Sequence, residues 1–127
     1  MEISTHQKID RELCGKPLEI KEGYSRVELV ALKSMAVDET GLVHGGFIFG
    51  QADYAAMIAV NHPNVVLGGA EVKFLKPVKT GDTVVAEARV TAVEKKKHTV
   101  EVTVNRDNEK VFEGTFFCFV LGKHVLG

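Results

Sequence analysis

The longest apolar stretch of the chain, residues 46–60, predicts a buried helix. It contains no proline and a single charged residue, Asp53, and it would form about four helical turns, roughly 22 Å long. Apolar side chains cover more than one of its faces, and a helix of this kind is normally buried on all sides. Pro63 predicts where the helix stops, because proline cannot continue a helix and restricts the residue before it.

Strand-like segments lie on both sides of this helix. Alternation of apolar and polar residues predicts strands at residues 23–32, 65–74, 83–93, 99–104 and 111–121. In the third of these, the residues predicted to face inward are Val84, Ala86, Ala88, Val90 and Ala92. Ahead of the first strand, residues 4–13 are interpreted as either a short helix that ends at Gly15 or a mobile terminus.

This order of elements predicts an α+β protein in which an antiparallel sheet curls around one long central helix. Short polar turns join the later strands, which favours antiparallel pairing. The 127 residues suffice for one domain, residues 1–127, with a core of its own. We find no internal repeat and no interdomain linker.

Composition and charge exclude several functional classes. Hydrophobic residues make up 45% of the chain and charged residues 26%, which is typical of a soluble globular protein. The formal net charge of -1 gives no electrostatic reason to expect nucleic acid or an anionic membrane as a partner. No apolar run is long enough to span a membrane, and the N-terminus lacks the pattern of a signal peptide, so we expect a cytoplasmic protein.

The residue types that bind metals or form disulfides show no informative spacing. Cys14 and Cys118 are far apart in sequence, and we interpret them as buried or incidental thiols rather than as a disulfide or a catalytic thiol. The histidines His62, His98 and His124 share no spacing typical of a metal site, so no metal is expected.

The residues suited to ligand binding or catalysis are concentrated at the start and in the middle of the central helix. Gly45 and Gly46 are poor helix formers, but glycine allows a ligand to approach the backbone closely. The first turn of a helix has free N–H groups and a partial positive charge, which can hold an anion or a developing oxyanion. Asp53 is a carboxylate inside an apolar helix, where burial would raise its pKa toward the range useful for a general base.

The spacing of these groups favours a dimer. Gly46 and Asp53 lie on one face of the helix but are about 10 Å apart along its axis, too far for one carbonyl and its attacking water. Two such helices that run antiparallel about a two-fold axis would bring the glycines of one chain to the aspartate of the other. We therefore expect a homodimer, or a dimer of dimers, with two composite sites.

The motif at the start of the helix resembles that of the PaaI-like acyl-CoA thioesterases, which have the hotdog fold, a curved antiparallel sheet around a long helix. Their signature is similar to His-Gly-Gly followed by Ala-Asp, and here it is formed by His44, Gly45, Gly46, Ala52 and Asp53. The resemblance implies that Asp53 is the general base or nucleophile of thioester hydrolysis. It implies that the Gly45 N–H, together with Gly46, polarises the carbonyl and that His44 orders the loop. It also implies an acyl-CoA substrate and no metal or redox cofactor.

A second resemblance covers the sheet between residues 68 and 95, which is similar to the effector domain of FapR. FapR is a repressor of bacterial lipid synthesis whose hotdog domain binds malonyl-CoA without hydrolysing it. It has Gln-Ala-Asn where this chain has Gln51-Ala52-Asp53, and it lacks the His-Gly-Gly segment. The stretch before the first predicted strand is too short for FapR's DNA-binding domain. This resemblance implies an alternative function, a non-catalytic module that binds or senses an acyl-CoA.

Structural roles are alternatives to these functional ones. Asp53 could instead bond to a partner's backbone at a dimer seam, Gly45 and Gly46 could permit close packing, and His44 could simply cap the helix. Gln51 is interpreted either as a donor to water or the acyl group or as a structural residue. The side chains expected to line an acyl tunnel are Phe49, Met57 and Phe74.

Two further readings stay open. The basic residues Lys95, Lys96 and Lys97, and likewise Lys73, Lys76 and Lys79, are either solvated or in contact with coenzyme A phosphates. A dehydratase would need a histidine over the substrate, and His44 is the only candidate for that role.

Hydrolysis of an acyl-CoA thioester is the favoured function, because residue 53 is an aspartate, and an aspartate can take a proton from water.

Overall fold

The computed structural model of the protein describes residues 1–127 and contains two α-helices and six β-strands. Helix α1 spans Arg11–Cys14 and α2 spans Gly45–Val60. The strands are β1 (Lys16–Lys21), β2 (Tyr24–Val30), β3 (Val65–Phe74), β4 (Thr83–Glu94), β5 (Lys97–Arg106) and β6 (Glu109–Val120). They form one antiparallel sheet in the order β1-β2-β4-β5-β6-β3, so that β1 and β3 are its edges. Neither helix combines the length and the apolar character needed to cross a bilayer.

Helix α2 is the centre of the core, as its apolar sequence predicts. It lies mainly against β2, β4 and β5, in the middle of the sheet. Ala86 and Ala88 of β4 are fully buried, so small residues on both surfaces let the helix and the sheet approach closely. The predicted arrangement of one long helix with an antiparallel sheet around it is confirmed. The buried residues of the helix are Ile48, Gln51, Ala52, Tyr54, Ala55, Ala56, Met57, Ile58 and Ala59.

Two buried polar side chains attach α2 to the sheet. The Ser25 hydroxyl of β2 donates a hydrogen bond of 2.6 Å to the Ala55 carbonyl. The Gln51 amide donates to the carbonyls of Val27 and Val84, on β2 and β4, over 3.0 Å in each case. Because a buried polar group is costly without a partner, these bonds fix the rotation of the helix about its axis. They thereby determine which helical residues face away from the middle of the sheet.

The end of α2 is set by Asn61 rather than by the proline that follows it. Asn61 has a φ of 54°, in the left-handed region, and its N–H donates to the Met57 carbonyl over 2.8 Å. Asparagine tolerates this conformation better than most residues and is a common helix-terminating residue. The predicted stop of the helix within residues 61–64 is therefore confirmed, with Asn61 as its immediate cause.

The N-terminal part of the chain differs from the prediction. Only Arg11–Cys14 is helical, because Asp10 supplies the N-cap by accepting hydrogen bonds from the N–H groups of Glu12 and Leu13. Ser4, at the start of the segment interpreted as a helix, instead bonds to Asn61 at the end of α2. The sequence pattern does not predict β1, because Pro17 and its charged neighbours obscure any alternation, and an edge strand tolerates both.

The five predicted strands are all present, and their ends differ from the predictions by no more than two residues. One predicted orientation is wrong. Ala92 is exposed rather than inward-facing, because β4 has a bulge between Val90 and Ala92 and its last four residues, from Thr91 to Glu94, are all exposed.

Gly114 of β6 provides a test of how closely β3 packs against it. A Cβ atom at this position would lie 2.7 Å from the Val72 Cγ1 atom and 3.0 Å from the Glu71 carbonyl oxygen. We expect Gly114→Ala to lower the free energy of unfolding by about 1–3 kcal/mol, because the strands must shift to relieve the overlap. Urea unfolding followed by circular dichroism measures the change.

Gly69→Ala on β3 is the matched control, since its Cβ would make only an ordinary contact of 3.8 Å with Phe117. Equal unfolding free energies for the two variants would show that the sheet absorbs the added methyl group at no cost, against this prediction.

Candidate active site

The start of α2 presents one unpaired backbone donor. The Gly46 N–H donates a hydrogen bond of 2.8 Å to His44 Nδ1, so His44 is the N-cap of the helix. The Gly45 N–H has no partner in the chain, because it belongs to the first turn, which no helical carbonyl can reach. The prediction that Gly46 shares the task of polarising a carbonyl is thus corrected, since its N–H is already occupied. Of the roles considered for His44, the structure shows the capping one.

Gly45 lines an apolar cleft of about 370 Å³ between the start of α2 and the loop after β3. The Phe74 ring packs over the glycine, and a Cβ atom on Gly45 would lie 3.0 Å from it. Phe74 is 57% exposed and meets Phe112 edge-on, with 5.2 Å between the ring centroids. The other residues of this cleft are Val43, Ile48, Leu75, Lys76, Pro77, Val78 and Val111. An apolar cleft with one free donor suits a ligand that has an apolar part and a hydrogen-bond acceptor.

Asp53 lies two turns further along α2, in a different environment. Its Oδ1 atom is buried and has no hydrogen-bond partner. Burial raises the pKa of this carboxyl from 3.8 to about 6, because surroundings poor in water disfavour the charged form. The carboxyl lines a second cleft, of about 400 Å³, together with Thr5, His6, Met57, Pro63, Asn64, Val65, Val66, Leu67, His124 and Val125. A carboxylate with a raised pKa beside a cavity has the properties of a general base.

The two clefts have no residue in common. Gly45 and Asp53 are separated by about 12 Å along the helix axis. A single chain therefore does not bring the free N–H and the carboxylate to the same reacting group. The two halves of the predicted site are both present, but each lies in its own cleft.

The residues predicted to bind substrate are placed differently from one another. Met57 is buried and lines the Asp53 cleft, and Phe74 lines the Gly45 cleft. Phe49 lines neither of these clefts and packs against Phe116, with 5.5 Å between the ring centroids. Gln51 is fully buried and tied to β2 and β4, so of its two considered roles the structure shows the structural one.

Both cysteines are free thiols. Burial, followed by the negative charge of Asp53, raises the pKa of Cys118 to about 12. Burial also raises the pKa of Cys14, with smaller contributions from Asp10 and Asp53. Because the thiolate is the reactive form of cysteine, neither residue is suited to be a nucleophile at neutral pH.

The terminal residues of the Asp53 cleft are not found by the sequence analysis. Thr5 and His6 lie far before the central helix, and His124 and Val125 lie far after it. No spacing connects them to Asp53, because the chain folds back on itself to place them there. Hydrogen bonds to Asn61 dock the N-terminal segment in this position.

Residues 40–113 match the family described as the thioesterase superfamily, and the chain belongs to that superfamily. The matched region contains both Gly45 and Asp53. Together with the observed sheet and helix, this membership confirms the predicted hotdog fold.

Two curated relatives are much longer than this chain. A methylthioribose-1-phosphate isomerase from Aquifex aeolicus is 56% identical over 121 residues, which are 95% of this chain and 26% of that protein. The transcription factor FapR from Bacillus subtilis is 31% identical over 108 residues, which are 83% of this chain and 57% of that protein. The chain spans about a quarter of the first relative and less than two thirds of the second, so each name describes a larger protein.

Solved structures agree with the fold. An uncharacterized protein from Pyrococcus horikoshii has a TM-score of 0.99 and 59% identity, and the match covers 100% of this chain and 98% of that chain. A Streptococcus mutans protein bound to acetyl CoA has a TM-score of 0.81 and 25% identity, with 93% and 97% coverage. The Escherichia coli PaaI protein, at a TM-score of 0.80, 24% identity and 88% and 83% coverage, shows the same fold.

The buried carboxylate predicts a stability that depends on pH. The folded chain keeps the Asp53 proton up to a pH of about 6, whereas the ordinary pKa is 3.8. At higher pH the folded state therefore contains a charge that costs about 3 kcal/mol, and this cost disappears in acid. We expect Asp53→Asn to raise the melting temperature at pH 8 and to have a much smaller effect at pH 4, as measured by differential scanning calorimetry.

Glu94→Gln serves as the control, because it makes the same change from carboxylate to amide at an exposed position. An Asp53→Asn effect of the same size at pH 4 and pH 8 would contradict a raised pKa in the folded state.

Proposed function

We propose that this chain is an acyl-CoA thioesterase that acts as a homodimer with two composite sites. The observation that carries the proposal is the separation of two complementary groups on one helix. A buried carboxylate without a partner, Asp53, lies in one cleft, and a free N–H, that of Gly45, lies in another. An antiparallel pair of α2 helices would bring the Gly45 of one copy to the Asp53 of the other.

In the proposed reaction Asp53 takes a proton from a water molecule while the water oxygen attacks the thioester carbonyl carbon. The carbonyl oxygen gains negative charge and accepts a hydrogen bond from the Gly45 N–H of the other copy, where the positive end of the α2 dipole also stabilises it. The carbon–sulfur bond then breaks, and the proton held by Asp53 passes to the sulfur. The products are the free acid and the thiol of coenzyme A, and no metal or redox cofactor takes part.

Membership of the thioesterase superfamily supports the reaction class. The Streptococcus mutans neighbour bound to acetyl CoA supports a coenzyme A ester as the ligand. The His44-Gly45-Gly46 segment and Asp53 agree with the PaaI-like motif at every position quoted for it. For these reasons we favour a thioester hydrolase.

The second candidate is a non-catalytic module that binds or senses an acyl-CoA, and the identity with FapR favours it. Residue 53 distinguishes the two candidates. The FapR motif has an asparagine at the corresponding place, and an asparagine cannot take a proton from water, whereas Asp53 with its raised pKa can.

Asp53→Asn should abolish hydrolysis and preserve binding. We expect kcat to fall by about 10²–10⁴, because the variant keeps the shape of the site and loses its base. In the native protein kcat/KM should rise as the pH passes through about 6, as Asp53 loses its proton. Release of free thiol from a panel of acyl-CoAs measures both effects.

If native and variant chains bind a coenzyme A ester equally well and neither releases thiol, the hydrolase proposal fails and the sensor is favoured. A pH profile that is flat between pH 5 and pH 8 in an active native protein would argue against Asp53 as the base.

Gly45→Pro tests the backbone donor with little disturbance of the helix. Proline is favoured at the first helical position, and His44 has the extended conformation that a residue before proline requires, with φ -61° and ψ 128°. We expect loss of the N–H to lower kcat by about 10²–10³. Gly45→Ala is the matched control, because it makes the same Cβ contact with Phe74 and retains the N–H.

Mixing these variants tests the composite site. Refolding Asp53→Asn chains together with Gly45→Pro chains should restore about a quarter of the native activity, because half of the dimers then contain one intact site. Activity that stays absent after mixing, with dimers present, would mean that both groups act within one chain.

A further inference from the structure

Both terminal segments of the chain contribute residues to the wall of the Asp53 cleft. Thr5 and His6 come from the N-terminal segment, and His124 and Val125 come from the residues after β6. All four lie outside residues 40–113, the part of the chain that matches the superfamily. The terminal segments therefore add to the cleft residues that lie outside the region matched to the superfamily, beside residues such as Met57 and Asn64 that lie within it.

The N-terminal wall is held in place by Asn61. The Ser4 N–H donates to Asn61 Oδ1 over 2.8 Å, and the Ser4 hydroxyl donates to the Asn61 carbonyl over 2.9 Å. The Asn61 amide in turn donates to the Glu2 carbonyl over 2.7 Å. Thr5 is only 5% exposed, and the neighbouring His6 has a φ of 52°, a left-handed conformation that is uncommon outside glycine. These contacts make the wall a preformed part of the cleft.

Three residues that line this cleft, His6, Asn64 and His124, have polar atoms with free hydrogen-bonding capacity. His124 Nδ1 accepts from the Leu126 N–H over 3.0 Å, so the proton of its neutral ring is on Nε2, which is a donor. His6 Nδ1 is 2.7 Å from the Thr5 hydroxyl, which leaves His6 Nε2 available. The Asn64 amide donates to the Leu121 carbonyl, which leaves its Oδ1 as an acceptor. By contrast, six of the nine residues lining the Gly45 cleft are hydrophobic, against five of eleven here.

We propose that the Asp53 cleft receives the acyl group, and that His6 and His124 select acyl groups bearing an uncharged oxygen substituent such as a hydroxyl or a ketone. This inference rests on the proposed function in one respect, namely that the ligand is a coenzyme A ester. His124 Nε2 is a donor, and His6 Nε2 can donate or accept depending on the tautomer. The pair therefore matches an oxygen that accepts or donates a hydrogen bond. A carboxylate on the acyl group is disfavoured, because it would lie beside the carboxylate of Asp53. An unsubstituted alkyl group would leave the polar atoms without partners.

The test compares 3-hydroxybutyryl-CoA with butyryl-CoA, which differ by one hydroxyl group. Dissociation constants are measured by calorimetry on chains carrying Asp53→Asn, so that hydrolysis does not interfere, and kcat/KM is measured with Asp53 intact. We expect the hydroxylated ester to be preferred by on the order of tenfold, as one well-formed hydrogen bond provides. His6→Gly, which removes the ring and suits a positive φ, should reduce this ratio toward one.

His124→Ala should also reduce the ratio, and because His124 is exposed near the C-terminus its loss leaves the core intact. His98→Ala, on the β4–β5 hairpin, is the matched control and should leave the ratio unchanged. Equal binding of both esters by chains with native residues at 6 and 124, or a ratio unaffected by His6→Gly and His124→Ala, overturns the inference. So does a preference of the native chain for malonyl-CoA.

The same data separate this inference from the proposed function. Discrimination in binding with no thiol release from any ester supports the selection by His6 and His124 and contradicts the hydrolase. Hydrolysis of both esters at equal kcat/KM supports the hydrolase and contradicts the selection.

Discussion

Burial of a nearly all-apolar helix is the constraint on which the other features of this protein depend. A helix without a polar face must be covered on most sides, and the sheet does this with small residues such as Ala86 and Ala88 that permit close approach. Once α2 is fixed by the hydrogen bonds of Ser25 and Gln51, the half-buried Asp53 side chain faces its cleft, and its Oδ1 atom has no hydrogen-bond partner. Its raised pKa is thus a result of how the core is built, and no specific charged neighbour is needed to produce it.

The start of the same helix presents the opposite electrostatic problem, a donor without an acceptor. At its start, α2 has an N–H that no carbonyl can satisfy, and this part of the helix favours negative charge. His44 uses its ring nitrogen to satisfy the next donor, Gly46, so that only Gly45 is left for a ligand. A single helix therefore carries both a free backbone donor and a carboxyl group whose pKa is raised to about 6.

Sequence analysis predicts the elements that depend on strong local patterns. The central helix, five of the six strands and the positions of Gly45 and Asp53 follow from periodicity, glycine placement and an isolated charge. The end of α1 at Gly15 is predicted correctly, but its start is placed too early and β1 is missed, because these short elements depend on tertiary contacts and on the Asp10 cap rather than on a hydrophobic pattern. Sequence analysis also cannot assign Gln51 or Gly46 correctly, since their hydrogen-bond partners are known only once β2, β4 and the His44 ring are in place. No local pattern predicts that residues from the two termini line the Asp53 cleft, because only the tertiary fold brings them there.

The two edges of the sheet differ in a way that bears on how further chains could add to it. Strand β1 is short and carries Pro17, both of which discourage an additional strand. Strand β3 has ten residues and no proline. An additional strand is therefore favoured at the β3 edge of the sheet over the β1 edge. Because Val65, Val66 and Leu67 of that strand line the Asp53 cleft, any molecule that added a strand there would lie against the carboxylate.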